Sequence, residues 1–147
     1  MLMLNKKLNP KTTAELQLSL PFDQRVKSRL RVTLSDGREA GLDLPRGDVL
    51  RHGDVLCSDG GEYVRVVAAP ETLSVVRTSD AMLRARICYH LGNRHTAIEI
   101  NSMFISYQHD HVLDAMVIGL GAEVTVEELG FEPEAGAYHV HSQHAHH

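Results

Sequence analysis

Several features that mark particular protein classes are missing from this sequence. It has no tryptophan, and its two cysteines, Cys57 and Cys88, lack Cys-x-x-Cys spacing, which argues against a disulfide framework. No apolar run approaches the roughly 20 residues of a membrane helix, and neither a glycine-rich phosphate loop nor a Gly-x-Ser-x-Gly element is present. The net charge of -4 is unlike that of a nucleic-acid-binding protein. We therefore expect a cytoplasmic, non-enzymatic protein that binds neither membrane nor nucleic acid.

Histidine, by contrast, is concentrated at one end of the chain. Nine of the ten histidines follow Tyr89, and five lie in the last nine residues. Neutral imidazole is the commonest metal-ligating side chain and suits nickel, copper and zinc. Such a tract typically binds metal, although an engineered tag or a solvated run is the alternative. The histidines of this tail, which we expect to be disordered without metal, are His139, His141, His144, His146 and His147.

The first part of the chain alternates as short β-strands do. Apolar residues occupy even positions between Val26 and Leu34, and basic residues take odd positions between Arg25 and Arg31, which predicts a half-buried strand with a wet basic face. Asp36-Gly37 is a hairpin turn signal. Short strands with turns about every ten residues predict a small β-sandwich or barrel over residues 1–70. Residues 1–24 show no pattern and are assigned no role.

Residues 71–138 mix strand and helix patterns in the order βαββαβ. Apolar residues at helical spacing predict one helix that ends at Gly92-Asn93 in a left-handed cap, and a second helix from His109 to Leu120. Short β-rich runs precede, separate and follow these helices. The order is that of a ferredoxin-like split βαβ domain. Residues 139–147 then form the flexible His-rich tail.

Several histidines of this second domain lie where folded elements would hold them. His95 follows the predicted helix cap, flanked by rigid elements yet accessible, with an ordinary loop histidine as the alternative. His109 and His111 open the second helix, and in regular helical geometry residues two apart point away from each other and would not share one ion unless the first turn is frayed. Asp110 is either placed there by the helix dipole or is an acceptor that orients an imidazole. His90, in the last turn of the first helix, is interpreted as a capping residue.

These segments resemble the UreE family of urease accessory proteins, in the family's order. The Gly-Asn-Arg-His element is the most specific, and the similarity runs from about Arg25 to the end of the chain. The matching segments are His90–His95, His109–Met116 and Phe131–Tyr138, with Arg29–Val32, Asp36–Glu39, Leu44–Gly47 and Gly53–Leu56 in the first part.

The resemblance implies a nickel metallochaperone that delivers nickel to apo-urease. It implies a homodimer joined through the C-terminal domains, in which His95 of both subunits holds one nickel ion. It places His109 and His111 at peripheral metal positions and makes the tail a nickel-collecting extension. The implied partners are the urease accessory G-protein UreG and the urease assembly complex. Copper and zinc are the alternative metals, and the competing hypothesis is a peptide-binding or assembly module with metal storage as a secondary role.

Overall fold

A computed structural model describes residues 1–136 of the chain, which hold ten strands and three helices. The strands are β1 (Leu2–Leu8), β2 (Leu16–Leu20), β3 (Arg29–Thr33), β4 (Glu39–Asp43), β5 (Val55–Ser58), β6 (Tyr63–Ala68), β7 (Pro70–Val76), β8 (Glu99–Ile100), β9 (Ile105–Gln108) and β10 (Thr125–Gly130). The helices are α1 (Phe22–Arg25), α2 (Ala81–Asn93) and α3 (His111–Gly119). The predicted flexible tail, His139 to His147, lies outside the described residues.

The chain separates into two compact units, of which the first is Met1–Ala69. Its six strands form one sheet in the order β2-β6-β5-β1-β4-β3. The two edges of this sheet meet, because the Ser35 N–H donates to the Gln17 carbonyl and the Gln17 N–H donates to Ser35 Oγ, each at 2.9 Å. The sheet is therefore a nearly closed barrel around an apolar interior that includes Leu4 and Val64. This confirms the predicted β-domain.

The prediction that residues 1–24 carry no pattern is wrong, because they supply β1 and β2. β1 runs parallel to β4 and antiparallel to β5, and β2 runs parallel to β6. Leu16, Leu18 and Leu20 alternate in sequence as clearly as the recognised strands do, so the signal for β2 was available. The pairing register of β1 shifts between Leu4 and Lys6, and an irregularity of this kind obscures strict alternation.

The predicted basic strand is also wrong at its start, because Arg25 ends α1 and is fully buried. Its Nε donates to the Leu20 carbonyl at 3.1 Å and its Nη1 donates to the Leu50 carbonyl at 3.2 Å. The guanidinium also lies over the Phe22 ring, 5.6 Å from the ring centroid. A buried charge needs such partners, and here they tie α1 to the end of β2. β3 itself begins only at Arg29.

The second unit begins at Pro70 and has the predicted order βαββαβ. Its antiparallel sheet has the strand order β10-β7-β9-β8, with α2 between β7 and β8 and α3 between β9 and β10. The helices bury Ile87, Leu91 and Val117 against Ile105 and Tyr107 of β9. This confirms the ferredoxin-like α+β domain. Within residues 1–136, none of the helices has the length and apolarity required to cross a bilayer.

Candidate metal-binding residues

Helix α2 ends in a hydrogen-bonded cap that places His95 just outside the helix. The His95 N–H donates to the Gly92 carbonyl at 2.9 Å, and the Thr96 N–H donates to the Leu91 carbonyl at 3.2 Å. This pair of bonds is the Schellman motif, in which the residue after the C-cap takes a left-handed conformation. The left-handed cap predicted at Gly92-Asn93 is therefore placed too early, because both of those residues are helical and His95, with φ of 58°, occupies the left-handed position.

Among residues 1–136, His95 is the only non-glycine residue with a positive φ. Glycine usually fills this position, because a Cβ there costs on the order of 1 kcal/mol. The main chain is anchored on both sides by the buried side chains of Leu91 and Ile98, and the His95 side chain itself is exposed. The fold thus presents this imidazole at the surface from a rigid main chain, which is where the sequence placed it.

His109 and His111 lie on either side of the start of α3. Asp110 is the N-cap, and its Oδ1 accepts the N–H groups of Val112 and Leu113 at 2.8 and 3.0 Å. The helix therefore begins at His111, and the prediction that it begins at His109 is wrong. Asp110 uses its Oδ1 as a helix cap, which is a role that Asp residues commonly fill.

Because His109 is not helical, the expectation that the two imidazoles point apart is also wrong. Their rings make an edge contact, with centroids 4.9 Å apart and planes at 75°. His111 is exposed, whereas the side chain of His109 is 27% exposed. The spacing rule for helices fails here since one residue belongs to the segment that follows β9 and the other to the first turn of α3.

The His109 ring contacts the carboxylate of Asp114, a residue of α3. Its Nδ1 lies 3.1 Å from Asp114 Oδ2 and 3.1 Å from Ser74 Oγ. Ser74 Oγ donates to Asp114 Oδ1 at 2.6 Å, and Tyr107 Oη donates to the same oxygen at 2.7 Å. Burial, reinforced by the Asp114 carboxylate, raises the pKa of Tyr107 well above its ordinary value, so this phenol remains a hydrogen-bond donor at neutral pH. Sequence reasoning named Asp110 as a candidate acceptor and missed Asp114.

The structure thus has two histidine elements, which are His95 after α2 and the His109–His111 pair at the start of α3. The remaining candidate residues belong to neither. His90 is half-buried and makes an edge contact with Tyr89, with centroids 5.1 Å apart. Cys57 is a buried free thiol, and Cys88 is a half-buried free thiol whose pKa is raised by burial. Across residues 1–136, no group of three or more His, Cys, Asp or Glu side chains is close enough to hold a metal ion. An ion bound at either histidine element therefore needs further ligands from water, from the tail or from another chain.

Comparison with known proteins supplies the family. Residues 3–69 match the N-terminal domain of the UreE urease accessory protein, and residues 71–147 match its C-terminal domain. The chain belongs to the UreE family. The two matched domains follow the same order as the β-barrel unit and the ferredoxin-like unit of the fold.

Relatives within the UreE family cover nearly all of this chain. The urease accessory protein UreE of Pseudomonas putida (strain W619) is 53% identical over 139 residues, which are 94% of this chain and 86% of the relative. That of Citrobacter koseri is 52% identical over 148 residues, covering 100% of this chain and 97% of its own. That of Escherichia coli O157:H7 is 49% identical over 147 residues, covering 99% and 95%. All three relatives are named as accessory proteins rather than as enzymes.

Proposed function

We propose that this chain is a non-enzymatic metallochaperone that binds nickel and delivers it to apo-urease in the cytoplasm. Membership of the UreE family supports an accessory role in urease maturation. The observation that carries the metal role is the conformation of His95, an exposed imidazole at a left-handed position where glycine is the residue of lowest cost. Backbone strain is commonly retained at functional sites, and a metal-binding role for this imidazole would explain the strain at His95.

An incomplete site suits a carrier, because a carrier must release its ion. One His95 per chain supplies one ligand, and two copies related by a dimer axis supply two of the four or more that a transition metal takes. The dimer is proposed to form through the second unit. Supporting this, Met82 and Tyr89 lie two turns apart on α2, the helix that ends beside His95, and are 62% and 66% exposed. We expect these two side chains to contribute to the dimer contact, because contiguous exposed apolar patches mark protein contacts.

The His109–His111 pair is proposed as a peripheral site, filled from the tail histidines. Two imidazoles on one ion, at metal–nitrogen distances of about 2.1 Å, have ring centres roughly 5 Å apart. The observed separation of 4.9 Å is compatible with a shared ion. The proposed partners that receive nickel are UreG and the urease assembly complex.

Imidazole ligands alone do not select nickel. In the Irving–Williams order copper binds such ligands more tightly, and zinc binds them as well. Selectivity for nickel must therefore come from the partner proteins and from which metal is available to the chain. In a purified titration, copper is expected to displace nickel from this protein.

The test is a calorimetric titration of the full-length, metal-free chain with nickel. His95→Ala should weaken the tightest site by more than tenfold, since losing even a partner that orients a ligand costs roughly 10–100-fold. His90→Ala, one turn and a half earlier in the chain, is the matched control and should leave that site unchanged. Circular dichroism checks that both variants are folded. Tight binding that survives in folded His95→Ala contradicts the proposal.

A second candidate function rests on a cavity in the first unit. This cavity of about 410 Å³ lies beside the edge strand β3 and is lined by Met1, Met3 and Leu30 together with the charged Arg29, Arg31 and Asp43. Apolar side chains combined with a few charged ones are typical of ligand-binding cavities, so a peptide-binding or assembly module with metal storage as a secondary role is the alternative. The variant Met3→Arg separates the two functions. If it abolishes urease activation in cells with nickel binding intact, while His95→Ala does not, the module is the primary function.

A further inference from the structure

We propose that Asp114 is a positioning residue that, with Ser74 and Tyr107, holds the His109 ring with its Nδ1–H towards the carboxylate and leaves Nε2 as the metal-binding nitrogen. The tautomer follows from contacts in the second unit alone. The metal-binding part rests on the proposed function. The two parts therefore need measurements that can fail separately.

The tautomer follows from counting donors and acceptors around Asp114. Its Oδ1 accepts two hydroxyl protons, from Ser74 at 2.6 Å and from Tyr107 at 2.7 Å. Its Oδ2 faces His109 Nδ1 at 3.1 Å, and a carboxylate oxygen can only accept. The other neighbour of Nδ1 is Ser74 Oγ at 3.1 Å, whose proton is already committed to Asp114. A proton on Nδ1 therefore gives Asp114 Oδ2 a donor, whereas a lone pair on Nδ1 would face a carboxylate oxygen that can only accept.

The supporting residues come from three different elements of the unit. Ser74 lies in β7 and Tyr107 in β9, and both residues are fully buried, while Asp114 lies in α3 with its side chain 14% exposed. Close packing restricts the movement of such buried groups. The direction of Nε2 is therefore set by the fold before an ion arrives, which reduces the ordering cost of binding. His111, which is exposed, touches this fixed ring by its edge.

A carboxylate that accepts the second N–H of a ligating imidazole fixes its tautomer and raises its basicity. Loss of such a partner typically lowers metal affinity by roughly 10–100-fold. Asp114→Asn keeps the size of the side chain, but its amide group can donate to Nδ1 and so favours the opposite tautomer. The variant is therefore expected to move the proton to Nε2 and to block the nitrogen that would bind the ion.

The first measurement is long-range ¹H–¹⁵N NMR of the imidazole rings in the full-length, metal-free chain at neutral pH. The His109 signals are identified by their loss in His109→Gln. The wild-type chain should show a protonated Nδ1 and an unprotonated Nε2 at His109, and Asp114→Asn should shift the proton towards Nε2. Tyr107→Phe keeps the Oδ2 contact and should retain the wild-type tautomer. A wild-type His109 that is mainly Nε2–H overturns the proposal, and this result does not depend on any variant folding.

The second measurement is nickel titration of the same chains. Asp114→Asn should weaken the site that His109→Gln removes by roughly 10–100-fold and leave the site that depends on His95 unchanged. Glu123→Gln, which removes the same charge from an exposed residue of this unit, is the control and should change neither. A shifted tautomer with unchanged affinity would reject the role of Asp114 in metal binding. Absence of nickel binding in the wild-type chain would reject the proposed function while leaving the tautomer result standing.

Discussion

The fold holds His95 and His109 in opposite ways. His95 is fixed through its main chain, by the two hydrogen bonds of the Schellman motif, and its ring is exposed. His109 is fixed through its ring, by Asp114 and Ser74, and is partly buried. A main-chain hold fixes the position from which an imidazole extends. A side-chain hold determines the tautomer and direction in advance.

This difference matches two different tasks. An exposed ring that extends from a fixed main chain can meet its counterpart on a second chain, as the proposed dimer requires. A ring whose binding nitrogen is already oriented can share an ion with a neighbour in its own chain, as proposed for His109 and His111. We therefore expect the two elements to bind metal independently of each other, and each to keep some affinity for nickel when the tail is removed and water completes the site.

The largest expected change comes from removing residues 138–147, which hold five of the eight candidate histidine ligands. The number of nickel ions bound should fall by about half or more, in proportion to the imidazoles lost. The two folded elements keep their geometry, so at least one tight site should remain in calorimetric titration. A full-length chain with the five tail histidines changed to Gln is the control, because it removes the ligands and keeps the length. If the shortened chain binds no nickel, the folded elements are not sites by themselves.

A smaller change tests the main-chain hold on His95. His95→Gly should raise the free energy of unfolding by about 1 kcal/mol relative to His95→Ala, because glycine adopts the left-handed conformation without the cost of a Cβ. Both variants lack the imidazole and should lose the same tight nickel site. The measurement is urea denaturation of the metal-free chains, followed by circular dichroism. An alanine variant as stable as the glycine variant would mean that this position is not strained.

How far sequence reasoning reaches differs between these two elements. Helical spacing and flanking residues were enough to place His95 just after α2. They assigned the left-handed conformation to Gly92-Asn93, because glycine and asparagine have the lowest cost there. The helix continues through both residues and ends at Asn93, because Leu91 is buried in the core and its carbonyl accepts the Thr96 N–H that closes the cap. The residue at which α2 ends therefore depends on tertiary packing, which a local sequence pattern does not predict.

Around His109 less was predictable. Asp110 followed by Val112 and Leu113 is a helix-start signal that, read strictly, would have separated His109 from α3. The support from Asp114 could not have been found in this way, because Ser74 is 35 residues from His109 and 40 from Asp114 along the chain. These residues meet only once β7, β9 and α3 are packed together. The same limit applies to the barrel, whose parallel pairs β1–β4 and β2–β6 join distant segments.

The smallest expected effect comes from changing two helix N-caps that have the same hydrogen-bond pattern. Asp80 caps α2 and Asp110 caps α3, each through Oδ1 and two main-chain N–H groups at 2.8 to 3.1 Å. Changing either residue to Ala should lower the free energy of unfolding by about 1 kcal/mol. Only Asp110 lies between His109 and His111, so only its loss should weaken the peripheral nickel site, by a few-fold. Asp80 lies at the far end of α2 from His95 and should affect neither site.

Asp80→Ala and Asp110→Ala should lower the free energy of unfolding equally, so any difference between them in nickel affinity cannot come from stability. Asp110→Ser adds a further distinction, since serine caps a helix without a charge. If it restores both stability and nickel affinity, the contribution of Asp110 is the hold on the first turn of α3. If it restores stability alone, the carboxylate itself acts on the ion. Equal losses of affinity in Asp80→Ala and Asp110→Ala would instead mean that nickel binding follows global stability, and the contrast between the two histidine elements would then be wrong.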